Sequence, residues 1–185
     1  MRRFLDFLFS LFGLLFGGPI MMILYVLCYC DTGSPILVQR RVGKDKKPFN
    51  LYKFRTMPVG TLSVASHLLN ESSVTKLGAL LRMTKLDELP QLINVLKGEM
   101  SLVGPRPNLF NQEELIAERD KLGVYRVLPG ITGLGQIQKI DMSSPKLLAE
   151  IDKKMIDTLN LKNYFKYILT TLTGKACGDS VSDGE

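Results

Sequence analysis

The sequence predicts an α+β fold that is mainly α-helical and begins with a membrane helix, and three observations favour this class. Residues 7–30 carry no charge. Two β-leaning segments follow, Ile36–Val42 and 49–54, joined by a polar turn, which is typical of a short hairpin. Most of the remaining chain has apolar residues at helical spacing. We expect residues 1–33 to form a re-entrant membrane helix, 34–175 a folded domain and 176–185 a flexible tail.

Composition limits the classes of partner and compartment. The 185 residues suffice for one domain with a modest core. The net charge of +6 favours anionic partners, namely phosphates, lipid headgroups or nucleic acid. Three cysteines form no disulfide framework and indicate a reducing compartment. The sequence has no Cys/His spacing typical of zinc sites.

The apolar segment 7–30 is long enough to span a bilayer, at about 1.5 Å per residue against a core of roughly 30 Å. A signal peptide fits poorly, because the run is long and its small residues lie at the centre. Pro19 removes a backbone donor there, so we expect a bend. Basic residues flank both ends, and the positive-inside rule assigns both flanks to the cytoplasmic side. These features favour a re-entrant helix, while a kinked span stays an alternative.

The predicted hairpin carries two basic residues that are candidates for phosphate binding. Lys53 and Arg55 are two positions apart on the second segment and would share one face. A solvated strand edge is the alternative interpretation. The only histidine, His67, lies in a predicted loop, 58–75, with no partner arrangement typical of catalysis, and we expect it to be solvated.

Two adjacent acids, Asp87 and Glu88, precede a proline in the stretch "LRMTKLDELPQLINVLKGEMSLVGPRP". We expect a short helix over 76–83 and another over 86–97. Helix initiation alone could explain the acids, because aspartate is a good N-cap and proline is tolerated in the first turn. The same position attracts phosphate, so chemistry is not excluded.

Downstream segments add an arginine turn and basic helices. Arg106 lies between two prolines, which restrict the backbone of this turn. The restriction lowers the entropic cost of ordering the arginine against an anion, and its planar guanidinium suits such a contact. Residues 128–136 form a glycine-rich loop without the spacing of a P-loop or a dinucleotide-binding fold. We expect 111–123 to be a surface helix. The segment 145–173 is predicted as a basic amphipathic helix, suited to an anionic membrane surface or to ordinary packing.

The order of these motifs closely resembles the bacterial sugar transferases, the monotopic phosphoglycosyl transferases. The motifs that carry the resemblance, over about residues 4–136, are "VQRRVG", "FNLYKFRTM", the "LDELP" stretch, "GPRP" and "LPGITGLGQ". The resemblance implies transfer of a sugar phosphate from a UDP-sugar to a polyprenol phosphate, with magnesium as cofactor. It also implies location on the cytoplasmic face of the bacterial inner membrane, anchored in the bilayer by a helix broken at Pro19.

The family's acidic dyad falls on Asp87 and Glu88, which are then the expected catalytic residues and magnesium ligands. The resemblance implies a ping-pong mechanism in which Asp87 is the nucleophile. Glu88 would bind magnesium or shuttle a proton, and both roles stay open. The expected substrate-binding residues are Lys53, Arg55, Arg82, Gln91 and Arg106.

The sequence departs from the family pattern near its C-terminus. Leu128 replaces an arginine that often precedes "PGITG", and "IDKKMID" replaces an aromatic "DxYY" pattern, with Asp152 as its remnant. A glycosidase is disfavoured, because its two carboxyls flank the bond that is cleaved and lie about 5–9.5 Å apart. Two acids that are adjacent in sequence at a helix start are poorly placed for that. A membrane-anchored adaptor or an inactive family member is the remaining alternative. We expect no nucleic-acid partner, and the sequence predicts neither the sugar nor the oligomeric state.

Overall fold

A computed structural model describes residues 2–61 and 74–173. In chain order its helices and strands are α1 (Arg2–Thr32), β1 (Ile36–Val42), β2 (Pro48–Phe54), α2 (Lys76–Thr84), α3 (Gln91–Lys97), β3 (Ser101–Val103), α4 (Glu113–Lys121), β4 (Gly130–Thr132), α5 (Leu134–Ile137), α6 (Pro145–Thr158) and α7 (Leu161–Leu172). The described residues are mainly helical, as predicted, and they form two small sheets, of which only the β1–β2 hairpin was predicted. The predictions for His67 and for the tail 176–185 lie outside the described residues.

Helix α1 is the long apolar helix that the sequence predicts. By length and composition it could cross a membrane, and most of its apolar side chains are exposed. The helix continues through Pro19. Four of its residues are buried, and they lie toward its two ends: Asp6 and Ser10 in the first half, Leu24 and Cys28 in the second. Both ends of α1 therefore pack on the rest of the chain, while the prediction that the helix turns back at Pro19 stays a prediction.

Strands β1 and β2 form the predicted antiparallel hairpin, with Ile36 opposite Phe54 and Val42 opposite Pro48. Their connection contains a short 3₁₀ turn, Lys44–Lys46. Phe49 and Leu51 of β2 pack toward Val95 and Met100. The hairpin thus forms the layer on which α3 rests.

A second, parallel pair of strands takes one of its members, β4, from the segment 128–136 that was predicted as a glycine-rich loop. Strand β3 pairs with β4, with Ser101 opposite Gly130 and Val103 opposite Thr132. The two backbones come unusually close at Gly104, since a Cβ on Gly130 would lie 2.0 Å from the Gly104 nitrogen. These glycines therefore allow close packing between β4 and the start of the GPRP turn, residues 104–107, which follows β3.

The helical predictions need two corrections. Residues 86–97 are not one helix: Leu86–Glu88 form a separate 3₁₀ turn, and α3 begins only at Gln91, after Pro90. The predicted helix 145–173 is divided into α6 and α7, because the side chain of Asn160 caps a new helix by accepting a hydrogen bond from the Asn163 amide. Local propensity did not reveal either break.

Candidate active site

The acidic dyad lies on its own turn between α2 and α3. Lys85 ends α2 in the left-handed conformation (φ 57°), which redirects the chain into the 3₁₀ turn Leu86–Glu88, here called the dyad turn. Asp87 is 4% exposed, and the N-cap of α3 is Pro90, three residues further along the chain. Asp87 is therefore not the N-cap residue of α3. A carboxylate that is buried on a dedicated turn needs compensating partners, as charges in protein interiors generally do.

Arg82 lies in the last turn of α2, one helical turn before the dyad. Its Nε donates to the hydroxyl of Thr56 at 3.0 Å, which orients the guanidinium. Within the described residues, its Nη1 is buried and has no hydrogen-bond partner. A buried donor that is left unpaired is costly, so the guanidinium of Arg82 has the capacity for one more hydrogen-bond acceptor.

Arg106 and Glu88 are brought together although they are distant in sequence. Nη2 of Arg106 lies 2.9 Å from a carboxylate oxygen of Glu88, and both side chains are largely shielded from solvent. The arginine reaches the dyad turn from the GPRP turn, which leaves β3. A guanidinium in this place brings positive charge to the acids and would suit a phosphate group. The structure thus places two predicted site residues in direct contact.

The hairpin contributes the next wall of the site. Strand β2, which carries Lys53, packs against the dyad turn. Arg55 lies one residue beyond the strand, and its Nε donates to the carbonyl of Ser34 at 2.9 Å. That bond ties the end of β2 to the turn that follows α1. Lys53 is therefore in the layer next to the dyad, whereas the guanidinium of Arg55 is bonded to the turn that follows α1.

Buried polar side chains continue from the dyad along α3. Gln91 opens the helix and is 4% exposed. Asn94 is completely buried, donating to the carbonyl of Asn50 and to the carboxylate of Glu99 while it accepts from the Tyr52 amide. Asn94 therefore fastens α3 to β2, which fixes the distance between the dyad and the strand that bears Lys53.

The second half of α1 lies beside the dyad. Leu24 and Cys28 form a buried cluster with Phe54 of β2 and Leu81 of α2. The thiol of Cys28 interacts electrostatically with the carboxylate of Asp87. The site is thus located where the apolar helix meets the domain, a position from which a lipid headgroup could be reached.

The acids fit magnesium only as part of a larger ligand set. Among the described residues, no group of three or more His, Cys, Asp and Glu side chains could hold a metal ion. Magnesium is usually bound by one or two carboxylates, with waters and substrate phosphates completing its octahedron. Asp87 and Glu88 meet that smaller requirement, and water and substrate phosphates would supply the remaining ligands.

Sequence reasoning missed three buried charged residues that support this region. Asp6 accepts hydrogen bonds from β3 and α7, while Arg119 forms a fully buried pair with Asp152. A weak signal existed for Asp152, which shares a helical face with the buried Leu148 and Met155. Arg119 likewise lies one turn from the buried Leu115. A charge on an apolar stripe is the feature that could have identified both.

The fold and the site define a class of protein in which a long apolar helix joins a domain that carries an acidic dyad paired with an arginine, an arrangement suited to phosphorylated substrates. The model of the bacterial sugar transferase family matches residues 1–176. The chain therefore belongs to the bacterial sugar transferase family.

Several relatives have substantial identity. The uncharacterized sugar transferase EpsL of Bacillus subtilis is 39% identical over 158 residues, covering 85% of this chain and 78% of the relative. The undecaprenyl-phosphate galactose phosphotransferase of Salmonella typhimurium is 37% identical, covering 74% and 32% respectively. A putative undecaprenyl-phosphate N-acetylgalactosaminyl 1-phosphate transferase of Bacillus subtilis is 43% identical, covering 57% and 61%. The chain thus spans about a third of the Salmonella relative and most of EpsL.

Proposed function

We propose that the protein transfers a sugar 1-phosphate from a UDP-sugar to polyprenol phosphate, giving polyprenol-diphosphate-sugar and UMP. This would be the first membrane step in the biosynthesis of a polysaccharide or another glycoconjugate. Family membership and the names of the relatives described above support the reaction class. The observation that carries the proposal is the Glu88–Arg106 pair beside the buried Asp87, at the foot of an apolar helix.

In the first half-reaction Asp87 acts as the nucleophile. A carboxylate oxygen of Asp87 attacks the phosphorus nearer the sugar, and the bond from that phosphorus to the bridging oxygen breaks. UMP leaves with the electron pair, and an acyl phosphate bearing the sugar remains on Asp87. Because the diphosphate and the nucleophile are both anionic, Arg82 and Arg106 must offset their repulsion as they meet.

In the second half-reaction the polyprenol phosphate attacks the same phosphorus. Its oxygen forms the new diphosphate bond, and the carboxylate of Asp87 is regenerated as the leaving group. Asp87 and Glu88 would hold magnesium, which would supply neutralisation of the negative charge on the substrate phosphates. Glu88, paired with Arg106, would keep that guanidinium beside the reacting phosphate in both steps.

We further propose that α1 is a re-entrant helix and that the domain lies on the cytoplasmic face of the inner membrane. The start of α1 is bonded to the domain through Arg3, whose guanidinium donates to the carbonyls of Val95 and Met100. The end of α1 is bonded through Asp31, which accepts from Thr75. A helix whose two ends are held by one domain is more easily explained by a return than by a crossing.

Trapping the acyl phosphate tests the proposed nucleophile. The full chain in detergent micelles is incubated with a panel of radiolabelled UDP-sugars and no polyprenol phosphate, then separated by denaturing electrophoresis. We expect one sugar to label the wild type but not Asp87→Asn. Turnover of the variant should fall on the order of 10⁴-fold or more, as for other covalent nucleophiles. An Asp157→Asn variant, altered on the exposed face of α6, is the control and should label normally.

Two outcomes would contradict the proposal. Undiminished labelling of Asp87→Asn would remove the nucleophile assignment. Absence of UMP release from every UDP-sugar, with polyprenol phosphate present and the protein folded, would favour an inactive family member.

A further inference from the structure

We propose that the buried ion pair of Arg119 and Asp152 positions Arg106 at the dyad, so that α4 and α6 act on the reaction without touching the substrate. The inference concerns the reaction proposed above and rests on it for its activity measurements. It also gives a role to Asp152, in the region where the sequence departs from the family pattern.

The GPRP turn is held by its carbonyl groups. Each carbonyl from residue 105 to 108 accepts a hydrogen bond from a different part of the chain. The donors are the amide of Gly130 for Pro105, Nη1 of Arg119 for Arg106, Nη1 of Arg41 for Pro107 and the amide of Val42 for Asn108. Since the two prolines lack an N–H, carbonyl bonds are the main means of fixing this backbone.

Arg119 provides the bond that fixes the residue next to the dyad. Its Nη1 lies 2.9 Å from the carbonyl oxygen of Arg106 and 3.0 Å from Oδ1 of Asn108. Tyr125 donates to the same oxygen of Asn108 at 3.0 Å. The guanidinium therefore joins two positions of the turn, while the side chain of Arg106 extends from it to Glu88.

Asp152 holds Arg119 in that orientation. Its Oδ2 accepts from Nε at 2.9 Å and from Nη2 at 2.6 Å, which leaves Nη1 directed at the turn. Arg119 and Asp152 are 1% and 2% exposed, so each needs the other's charge. Burial raises the pKa of Asp152, and the charge of Arg119 opposes that rise. The remaining nitrogen, Nη1, is the group that connects this buried pair to the backbone of Arg106.

The decisive variant replaces the pair by apolar side chains, Arg119→Met together with Asp152→Leu. Such replacements of buried ion pairs are often neutral or stabilising, so the fold should persist. The carbonyl of Arg106 then loses its donor. We expect kcat for UMP release to fall about 10–100-fold with little change in KM, the size of effect seen when an outer support of a site is removed.

A double-mutant cycle separates positioning from a general effect on the fold. In an Arg106→Ala background the apolar replacement should cause little further loss of kcat, because the group it positions is already absent. Asp157→Asn on the exposed face of α6 is the matched control and should keep wild-type kcat. An equal loss of kcat in both backgrounds, or wild-type kcat in the apolar variant, would overturn the proposal.

Two further measurements keep the test independent. If the apolar variant does not fold, Arg119→Lys is used. Lysine keeps the charge but cannot bridge Asp152 and the turn, so kcat should fall, and full kcat would refute positioning.

If the wild type releases no UMP, the proposed function fails. The test is then hydrogen exchange at the amides of Val42 and Gly130, which donate to the carbonyls of Asn108 and Pro105. We expect faster exchange at these amides in the apolar variant. Unchanged exchange would refute positioning.

Discussion

At the scale of single residues, Asp6 is the carboxylate that ties the start of the apolar helix to the domain. It is buried and accepts hydrogen bonds from the Ser101 hydroxyl, the Leu102 amide and the hydroxyl of Tyr164. Three donors on one carboxylate compensate much of the cost of burying its charge. The bond from Tyr164 requires that the phenol keep its proton.

This requirement gives the fold a sensitivity to alkaline pH. Burial, followed by the hydrogen bond to Asp6 and its charge, raises the pKa of Tyr164 above the usual value of about 10. Above that pH the unfolded chain loses the phenolic proton and the folded chain keeps it, so the free energy of unfolding falls as pH rises. Tyr164→Phe should lower the free energy of unfolding by about 1–3 kcal/mol at pH 8. The difference in this free energy between the variant and the wild type should be smaller at pH 11.

Thermal unfolding of the full chain in detergent at both pH values measures this difference. Tyr29→Phe, at an exposed residue of α1, removes a tyrosine without breaking the buried bond. Its difference from wild type should be the same at pH 8 and pH 11. A Tyr164→Phe difference that did not narrow would show that the phenol does not carry the alkaline sensitivity.

Which residues could be predicted depended on whether their partners were local. The dyad and Arg106 were identified from motifs, and their proximity was then found in the structure. Arg119 lies in a segment that the sequence predicts as a surface helix, yet it is fully buried. Its burial depends on Asp152, 33 positions away, and no local pattern contains that information.

At the scale of elements, the two small sheets differ in how well the sequence predicts them. The β1–β2 hairpin has β-leaning segments on either side of a short polar turn, and its bounds agree with prediction to within a residue. The β3–β4 pair joins segments separated by about 26 intervening residues. Because a parallel pair needs a long crossover, its partners cannot be read from adjacent residues. The sequence contains Gly104 and Gly130, but no local pattern predicts that their backbones come into contact.

The close approach of Gly104 and Gly130 makes a specific prediction. A methyl group at position 130 would lie 2.0 Å from the Gly104 nitrogen and 2.5 Å from its Cα. Backbone cannot yield as a flexible side chain does, so Gly130→Ala should separate β3 from β4 and cost at least about 1–3 kcal/mol. The GPRP turn follows β3 directly, so UMP release should also fall.

Thermal unfolding and initial rates measured on the same preparation check this outcome. Gly17→Ala is a control for stability, because nothing lies within 4 Å of the added methyl group. Alanine also favours a helix over glycine, so the control should unfold at or above the wild-type temperature. Wild-type stability in Gly130→Ala would mean that the two backbones can move apart without cost.

At the scale of the whole molecule, the apolar helix and the domain are joined at both ends of α1. Arg3 and Asp6 bind α3 and β3 near its start, and Cys28 and Asp31 contact the hairpin and α2 region near its end. Between these ends, Phe16 is 72% exposed, and no atom of the described residues lies within 4 Å of the positions where Gly17 and Gly18 would carry side chains. In the re-entrant arrangement proposed above, the part of α1 nearest Pro19 is the part that would contact lipid.

This arrangement predicts the side of the membrane on which each region lies. Single cysteines replace Arg2, Phe16 or Glu114 in a chain whose native cysteines are removed, and a membrane-impermeant thiol reagent is applied to inverted inner-membrane vesicles. Cysteines at positions 2 and 114 should both react, because both would face the cytoplasm. The cysteine at position 16 should not react, because hydrocarbon surrounds it. Protection of position 2 with reaction at 114 would establish that α1 crosses the bilayer, and the bonds of Arg3 and Asp6 would then have to be absent in the membrane.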